Sequence, residues 1–272
     1  MTRLAILAGQ GALPHQIAAA HPDALFAHFV DLGSGLPSNE TLQVSYERFG
    51  EMFAGLKQAG VTEVVFAGGL ARPALNPANF DDKMRMLAPG FMAAMQGGDD
   101  ALLRAVILAF EEEGFTVKGA HEVLPDLTVR AEQQGATECT GVDASDAARA
   151  WKILQALGSL DVAQACVVAR GICLGIETAQ GTEALLGFVA QTRGALKSAQ
   201  GGVLVKWTKP NQDLRVDMPA IGPDTVDQAR AAGLQGICIE AGAVLVLKRN
   251  EVIRRADAAG ISIWAVTCFP ST

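Results

Sequence analysis

The chain has 272 residues, half of them hydrophobic and only 6% aromatic, with 29 acidic residues against 22 Lys and Arg, for a net charge of -7. That length suits two domains. The negative balance argues against a nucleic-acid binder, yet leaves room for one local basic cluster that takes a small anionic ligand.

Ala, Val, Leu and Gly dominate the composition, which is that of parallel sheets covered by Ala-rich helices. Five cysteines, an odd number without CxxC spacing, argue against a disulfide framework and against a zinc site. No apolar run approaches the roughly 20 residues that span a bilayer. The opening residues MTRLAILAGQG read straight into a strand. The expected location is therefore the reducing cytoplasm, with peripheral membrane contact left open.

In chain order, Leu4 to Ala8 predicts a buried strand closed by the tight loop Gly9-Gln10-Gly11. A helix through His15 to Ala20 and a strand from Leu25 to Val30 follow. Phe49 to Ala59 has helical spacing and stops at Gly60. Val61 to Ala67 is a buried strand closed by Gly68-Gly69. Alternating strands and helices predict a Rossmann-like parallel sheet with right-handed crossovers. Helices are expected over 80–95 and 99–113, and a short strand over 115–118.

Residues 120–140 lose their periodicity and read as a linker, so the boundary is set near residue 130. The resulting organisation is an N-terminal Rossmann-like domain, 1–130, and a larger C-terminal α/β domain, 131–272. In the second half, helices are expected over 144–157, 182–191, 225–232 and 251–259. Strands are expected over 163–169, 172–176, 203–205, 214–218, 236–240, 243–247 and 261–266.

Several segments could carry chemistry. The Gly9-Gln10-Gly11 loop sits where a dinucleotide fingerprint would sit, but Pro14 occupies the third glycine position, and Asp31, which could be the downstream acid, is followed by a Gly/Pro-rich loop. Asp99 and Asp100 follow Gly97-Gly98 at a helix start, where a carboxylate caps the helix or reaches a metal or a sugar hydroxyl. His121 alone reads as structural. Thr182 can cap the helix that it begins, with Glu183 in the favourable first turn. Glu177 ends an otherwise apolar strand, the place where α/β proteins bind ligands.

The strip Lys206 to Pro219 is the most informative. Pro210 and Pro219 bracket an extended piece. Alternation then puts Asp213, Arg215 and Asp217 on one face, roughly 6–7 Å apart, and Leu214, Val216 and Met218 on the other. Lys206 and Lys209 add positive charge upstream. Cations beside two aspartates suit pyrophosphate chemistry: the cations neutralise phosphate, and a carboxylate binds Mg²⁺ or orients a water.

With these residues the chain resembles the LpxI family, the UDP-2,3-diacylglucosamine pyrophosphatases of lipid A synthesis. The matching pieces are GQGALP from Gly9, FAGGLARP from Phe66, GDDALLR from Gly98, GAHEV from Gly119 and the stretch from Glu177 to Glu183. The longest is K-P-x-Q-x-x-R-x-D-x-P-x-x-G-x-x-T from Lys209 to Thr225. One departure is Gln180-Gly181-Thr182-Glu183, where the family usually reads E-G-T-D.

The resemblance implies a hydrolase dependent on Mg²⁺ or another divalent cation. It implies cleavage of UDP-2,3-diacylglucosamine, a lipid-linked UDP-sugar, to UMP and 2,3-diacylglucosamine 1-phosphate (lipid X). It further implies a substrate chamber between two domains and a homodimer, while peripheral contact with the inner membrane stays open. Asp217 corresponds to the family's essential aspartate, with Arg215 and Lys209 beside it and Asp213 as a second metal ligand. Substrate contacts are expected from Gly9, Gln10, Gly11, Leu13, Pro14, Gly68, Gly69, Asp99 and Asp100. In the second half they are expected from Glu177, Gly181, Thr182, Lys206, Gln212 and Thr225. The acyl chains need an apolar wall, for which Met84, Met86, Leu87, Phe91, Met92 and Met95 compete with a plain core role. Two rival functions are a nucleotide-dependent oxidoreductase using the first glycine loop and a sugar-nucleotide-binding regulator without turnover.

Overall fold

The computed structural model describes residues 2–29, 37, 39–69, 74–96, 99–195, 201–210 and 212–269. Val30, Asp31, Gly97, Gly98, Asn211 and the LARP part of the second motif lie outside these residues. The chain divides into two units: 1–125 together with 213–217, and 126–212 together with 218–272. Residues 213–217 group with the first unit, where Val216 packs against the core.

The first unit is built from β1 (Leu4–Ala8), α1 (Leu13–Ala20), β2 (Leu25–Phe29), β3 (Thr41–Val44) and α2 (Phe49–Gln58). It continues with β4 (Glu63–Ala67), α3 (Asp82–Met95), α4 (Asp99–Glu112), β5 (Thr116–Lys118) and α5 (Ala120–Val123). Its sheet has the order β3-β2-β1-β4-β5, and every pairing is parallel. Such a sheet is buried on both faces, so its strands are continuous apolar runs. Four of the five residues of β1 are fully buried. Alternation sends Ala5 and Leu7 to a core with Leu56 of α2 and Phe110 of α4. The edge strand β3 escapes the sequence reading because only Val44 of its four residues is buried.

Helix α3 sorts its methionines. Met84 and Phe91 face the core and Leu87 packs against it, whereas Met86 and Met92 are 76% and 68% exposed.

The second unit contains β6 (Gln133–Gln134), α6 (Gly141–Gly158), β7 (Ala165–Ala169), β8 (Ile172–Ile176), α7 (Gly181–Thr192) and β9 (Val203–Lys206). After residues 213–217 come β10 (Ala220–Ile221), α8 (Pro223–Ala231), β11 (Gly236–Glu240), β12 (Leu245–Val246), α9 (Arg249–Ala259) and β13 (Ser262–Val266). The main sheet has the order β6-β13-β11-β9-β7-β8. Strands β9, β11 and β13 run parallel, while β7 is antiparallel to both β8 and β9. One face packs on α7, α8 and α9, the other on α6 with Trp207 and Trp264. The expected linker is partly structure: Leu127, Val129 and Gln134 are buried, and Gln134 pairs with Ile263 of β13.

The β7–β8 turn shows why this sheet needs a buried acid. Arg170 and Gly171 both take left-handed φ, +51° and +76°. Their N–H groups are each 2.7 Å from the carboxylate of Asp146, itself buried on α6. The carboxylate satisfies two backbone donors that the tight turn would otherwise leave without partners.

Candidate active site

In the first unit, the strand order reverses between β1 and β4, so the crevice beyond their carboxyl ends is the place where such sheets bind ligands. Both glycine loops are there. Gln10 and Gly69 exchange backbone hydrogen bonds of 2.8 and 3.0 Å, and Gly9 N–H donates to the Ala67 carbonyl at 2.7 Å. The contact leaves no room for side chains. A Cβ on Gly9 would lie 2.6 Å from the Gly69 oxygen, and one on Gly68, whose φ is +89°, would lie 2.4 Å from the Gln10 oxygen.

Gly68→Ala is therefore expected to lower stability by roughly 2–4 kcal/mol, from left-handed strain plus overlap with backbone. A urea midpoint unchanged from the parent would show that the loops part freely. Helix α1 begins at Leu13 with Pro14 in its first turn and no side-chain cap. Proline is tolerated there because first-turn N–H groups have no intrahelical acceptor, and the exposed donors suit an anion.

In the second unit, Glu177, Thr182 and Lys206 come together beyond the ends of β8 and β9. Lys206, the last residue of β9, is only 8% exposed. Its Nζ donates to Thr182 Oγ1 at 2.6 Å, and that hydroxyl donates to Glu177 Oε1 at 2.5 Å. Nζ and the carboxylate themselves are 3.9 Å apart. Glu177 also accepts the Gln164 N–H at 3.2 Å. The expectation that Thr182 caps α7 is corrected: the N-cap is Gln180, without a side-chain cap bond. The Thr182 hydroxyl instead sits between Lys206 and Glu177. Gly181 opens α7 with a φ of +83°, a conformation that costs glycine little.

Downstream, Thr208 N–H donates to Glu240 Oε2 at 3.0 Å. Glu240 was missed from sequence, although it ends β11 much as Glu177 follows β8. Lys209 Nζ lies 2.5 Å from Asp161, and Gln212 accepts the Lys209 N–H at 3.0 Å. Thr225 accepts the Gly222 N–H at 3.1 Å at the start of α8. Asp100 pairs with Arg104 at 2.8 Å, and Asp99 is the first residue of α4.

The extended strand expected over 214–218 is corrected to a turn. Residues 214–216 are turn residues, and the N–H groups of Val216 and Asp217 both donate to the Asp213 carbonyl at 3.2 Å. Asp213, Arg215 and Asp217 therefore do not alternate along one strand face. Asp213 accepts from Arg215 three times over: backbone N–H and Nε at 3.0 Å on Oδ1, and NH2 at 2.7 Å on Oδ2. Arg215 NH1 reaches Glu111 at 2.8 Å. The side-chain bonds from Arg215 hold the Asp213 carboxyl below the usual range, and the same bonds raise the guanidinium.

This arrangement bears on the expected metal. Among the described residues no group of three or more His, Cys, Asp or Glu is placed to hold an ion, and both Asp213 oxygens are engaged by Arg215.

Two family models cover the chain. The LpxI N-terminal domain matches residues 3–127 and the LpxI C-terminal domain matches residues 131–264. The chain belongs to the LpxI family. It is 36% identical over 275 residues, covering 98% of both chains, to a protein of Caulobacter vibrioides named UDP-2,3-diacylglucosamine pyrophosphatase LpxI. Within this LpxI family member, the N-terminal match holds both glycine loops, and the C-terminal match holds Glu177, Thr182, Lys206 and Asp217.

Proposed function

We propose that this chain hydrolyses the pyrophosphate bond of UDP-2,3-diacylglucosamine to UMP and 2,3-diacylglucosamine 1-phosphate, using Mg²⁺ or another divalent cation. The observation that carries the reading is the end-to-end relationship to a protein named for this activity. The buried Lys206 supports it, since a desolvated ammonium is a strong partner for a phosphate oxygen.

In the reaction a water oxygen bonds to one phosphorus while the bridging P–O bond breaks and the bridging oxygen leaves on the other phosphate. Asp217 orients the attacking water and accepts its proton. Lys206, aimed by Thr182 and Glu177, neutralises charge on the phosphate oxygens. In the first unit, the amides of Gly11 to Leu13 at the start of α1 offer an anion site. Asp217 would hold the cation, which would supply further charge neutralisation at the phosphate oxygens.

The reading includes a cytoplasmic location with peripheral contact at the inner membrane, where the exposed Met86 and Met92 would offer adaptable apolar contact to the acyl chains. Among the described residues no helix is long and apolar enough to cross a membrane. The family resemblance adds a homodimer, which sedimentation measures.

The test incubates purified protein with UDP-2,3-diacylglucosamine and Mg²⁺. Equal amounts of UMP and the lipid monophosphate are expected, with loss of turnover in EDTA and recovery on adding Mg²⁺. Retention of substrate without cleavage would establish a binding protein instead.

A further inference from the structure

The Asp213 turn raises a question that the pyrophosphatase reading leaves open. Arg215 looks from sequence like a phosphate ligand, yet its donors are occupied. Nε and NH2 are on Asp213, and NH1 is on Glu111 in the last turn of α4. The guanidinium is shared between two carboxylates, which already neutralise it before a phosphate arrives. A phosphate would have to displace a carboxylate from a fork whose planar geometry these oxygens already match.

Glu111 adds an independent argument. An acid near the C-terminus of a helix meets the negative end of the dipole and weakens the helix. Its position in the last turn of α4 is not explained by helix stability. It is explained by the 2.8 Å contact with Arg215.

We propose that Glu111, Asp213 and Arg215 are positioning residues that fix the turn presenting Asp217, with Arg215 acting through Asp213 rather than on phosphate. Asp213 is the hub. Its carbonyl accepts the N–H groups of Val216 and Asp217 at 3.2 Å. Its carboxylate accepts the Arg215 N–H at 3.0 Å and grips the same residue's guanidinium. Glu111 fastens this hub to α4, and Val216 fastens it to the core of the first unit. Glu111 and Val216 thus tie the five-residue turn that carries Asp217 to the first unit at two points. Glu111 is thereby given a role in the site although it belongs to none of the family motifs.

The proposal rests on the hydrolase reading for the role of Asp217, so the parent protein is assayed first. In Glu111→Gln and Arg215→Lys, kcat is expected to fall by about tenfold or more while KM for UDP-2,3-diacylglucosamine stays within about twofold, because a positioning loss appears in the transition state and not in binding. Arg215→Lys keeps the charge and loses the fork, and it is expected to behave like Arg215→Gln. If Arg215 binds phosphate, the outcomes invert. Arg215→Gln raises KM by about tenfold, lysine partly rescues it, and Glu111→Gln, which releases the guanidinium, lowers KM. That pattern overturns the proposal.

Amide hydrogen exchange of Val216 and Asp217 gives a reading independent of turnover. Both variants are expected to speed it by about tenfold at a temperature where the rest of the chain is unchanged. Unchanged exchange overturns the proposal, and a parent that releases no UMP overturns the hydrolase reading alone.

Discussion

Replacing Asp217 by alanine is expected to lower kcat/KM for UMP release by about 10³-fold, equivalent to roughly 4 kcal/mol of transition-state stabilisation. A general base alone contributes about 10²–10⁴-fold, and Asp217 is also the carboxylate proposed to meet the cation. Asp217→Asn keeps the shape and removes the charge, so it should fall nearly as far. The turn itself should persist in both variants, since the Asp217 backbone N–H bonds to the Asp213 carbonyl whatever side chain it carries. Circular dichroism and the thermal midpoint therefore separate loss of chemistry from loss of fold. Turnover within about threefold of the parent would remove Asp217 from the mechanism, and with it the reason for a clasp beneath it.

The sequence made the sheets legible because burial on both faces writes itself as apolar runs. Leu4–Ala8 and Gly236–Glu240 are strands with those limits in the structure, and the edge strand Ile172–Ile176 also has its expected limits although only Leu174 of it is buried. What it hid was decided by side chains. The run Asp213 to Asp217 alternates polar and apolar residues as a half-buried strand would, and period two is all that a pattern reading can see. The Asp213 carboxylate bonding Arg215 N–H two residues on closes a turn, which is how aspartate competes with regular structure. Thr182 misled in a similar way, because threonine at a helix start is usually a cap, and only the tertiary approach of Lys206 shows its hydroxyl engaged elsewhere. Glu111 and Asp161 carried no local signal, since each acts on a residue 104 or 48 positions away.

The cluster of Lys206, Thr182 and Glu177 makes a prediction in which stability and activity move apart. Glu177→Ala removes the acid from a nearly buried pair and leaves Lys206 charged with Thr182 beside it. The expected cost is about 3 kcal/mol, near the low end for breaking a buried pair because both side chains keep about a tenth of their exposure. Glu177→Gln retains an acceptor for the Thr182 hydroxyl and the Gln164 N–H, so it should cost less than alanine. Lys206→Met fills similar volume without charge and should lower turnover by about 10²-fold or more if the ammonium meets phosphate.

The decisive protein is the double variant Glu177→Gln with Lys206→Met. A neutral pair of similar size removes the desolvation penalty that each charge carries. Its urea midpoint should return to within about 1 kcal/mol of the parent, a coupling that a double-mutant cycle reads directly. Activity should not return. Recovery of both would show that the pair exists to hold the ends of β8 and β9 together, and the phosphate would then need another cation. Recovery of stability alone separates the fold that Glu177 maintains from the charge that Lys206 keeps for substrate.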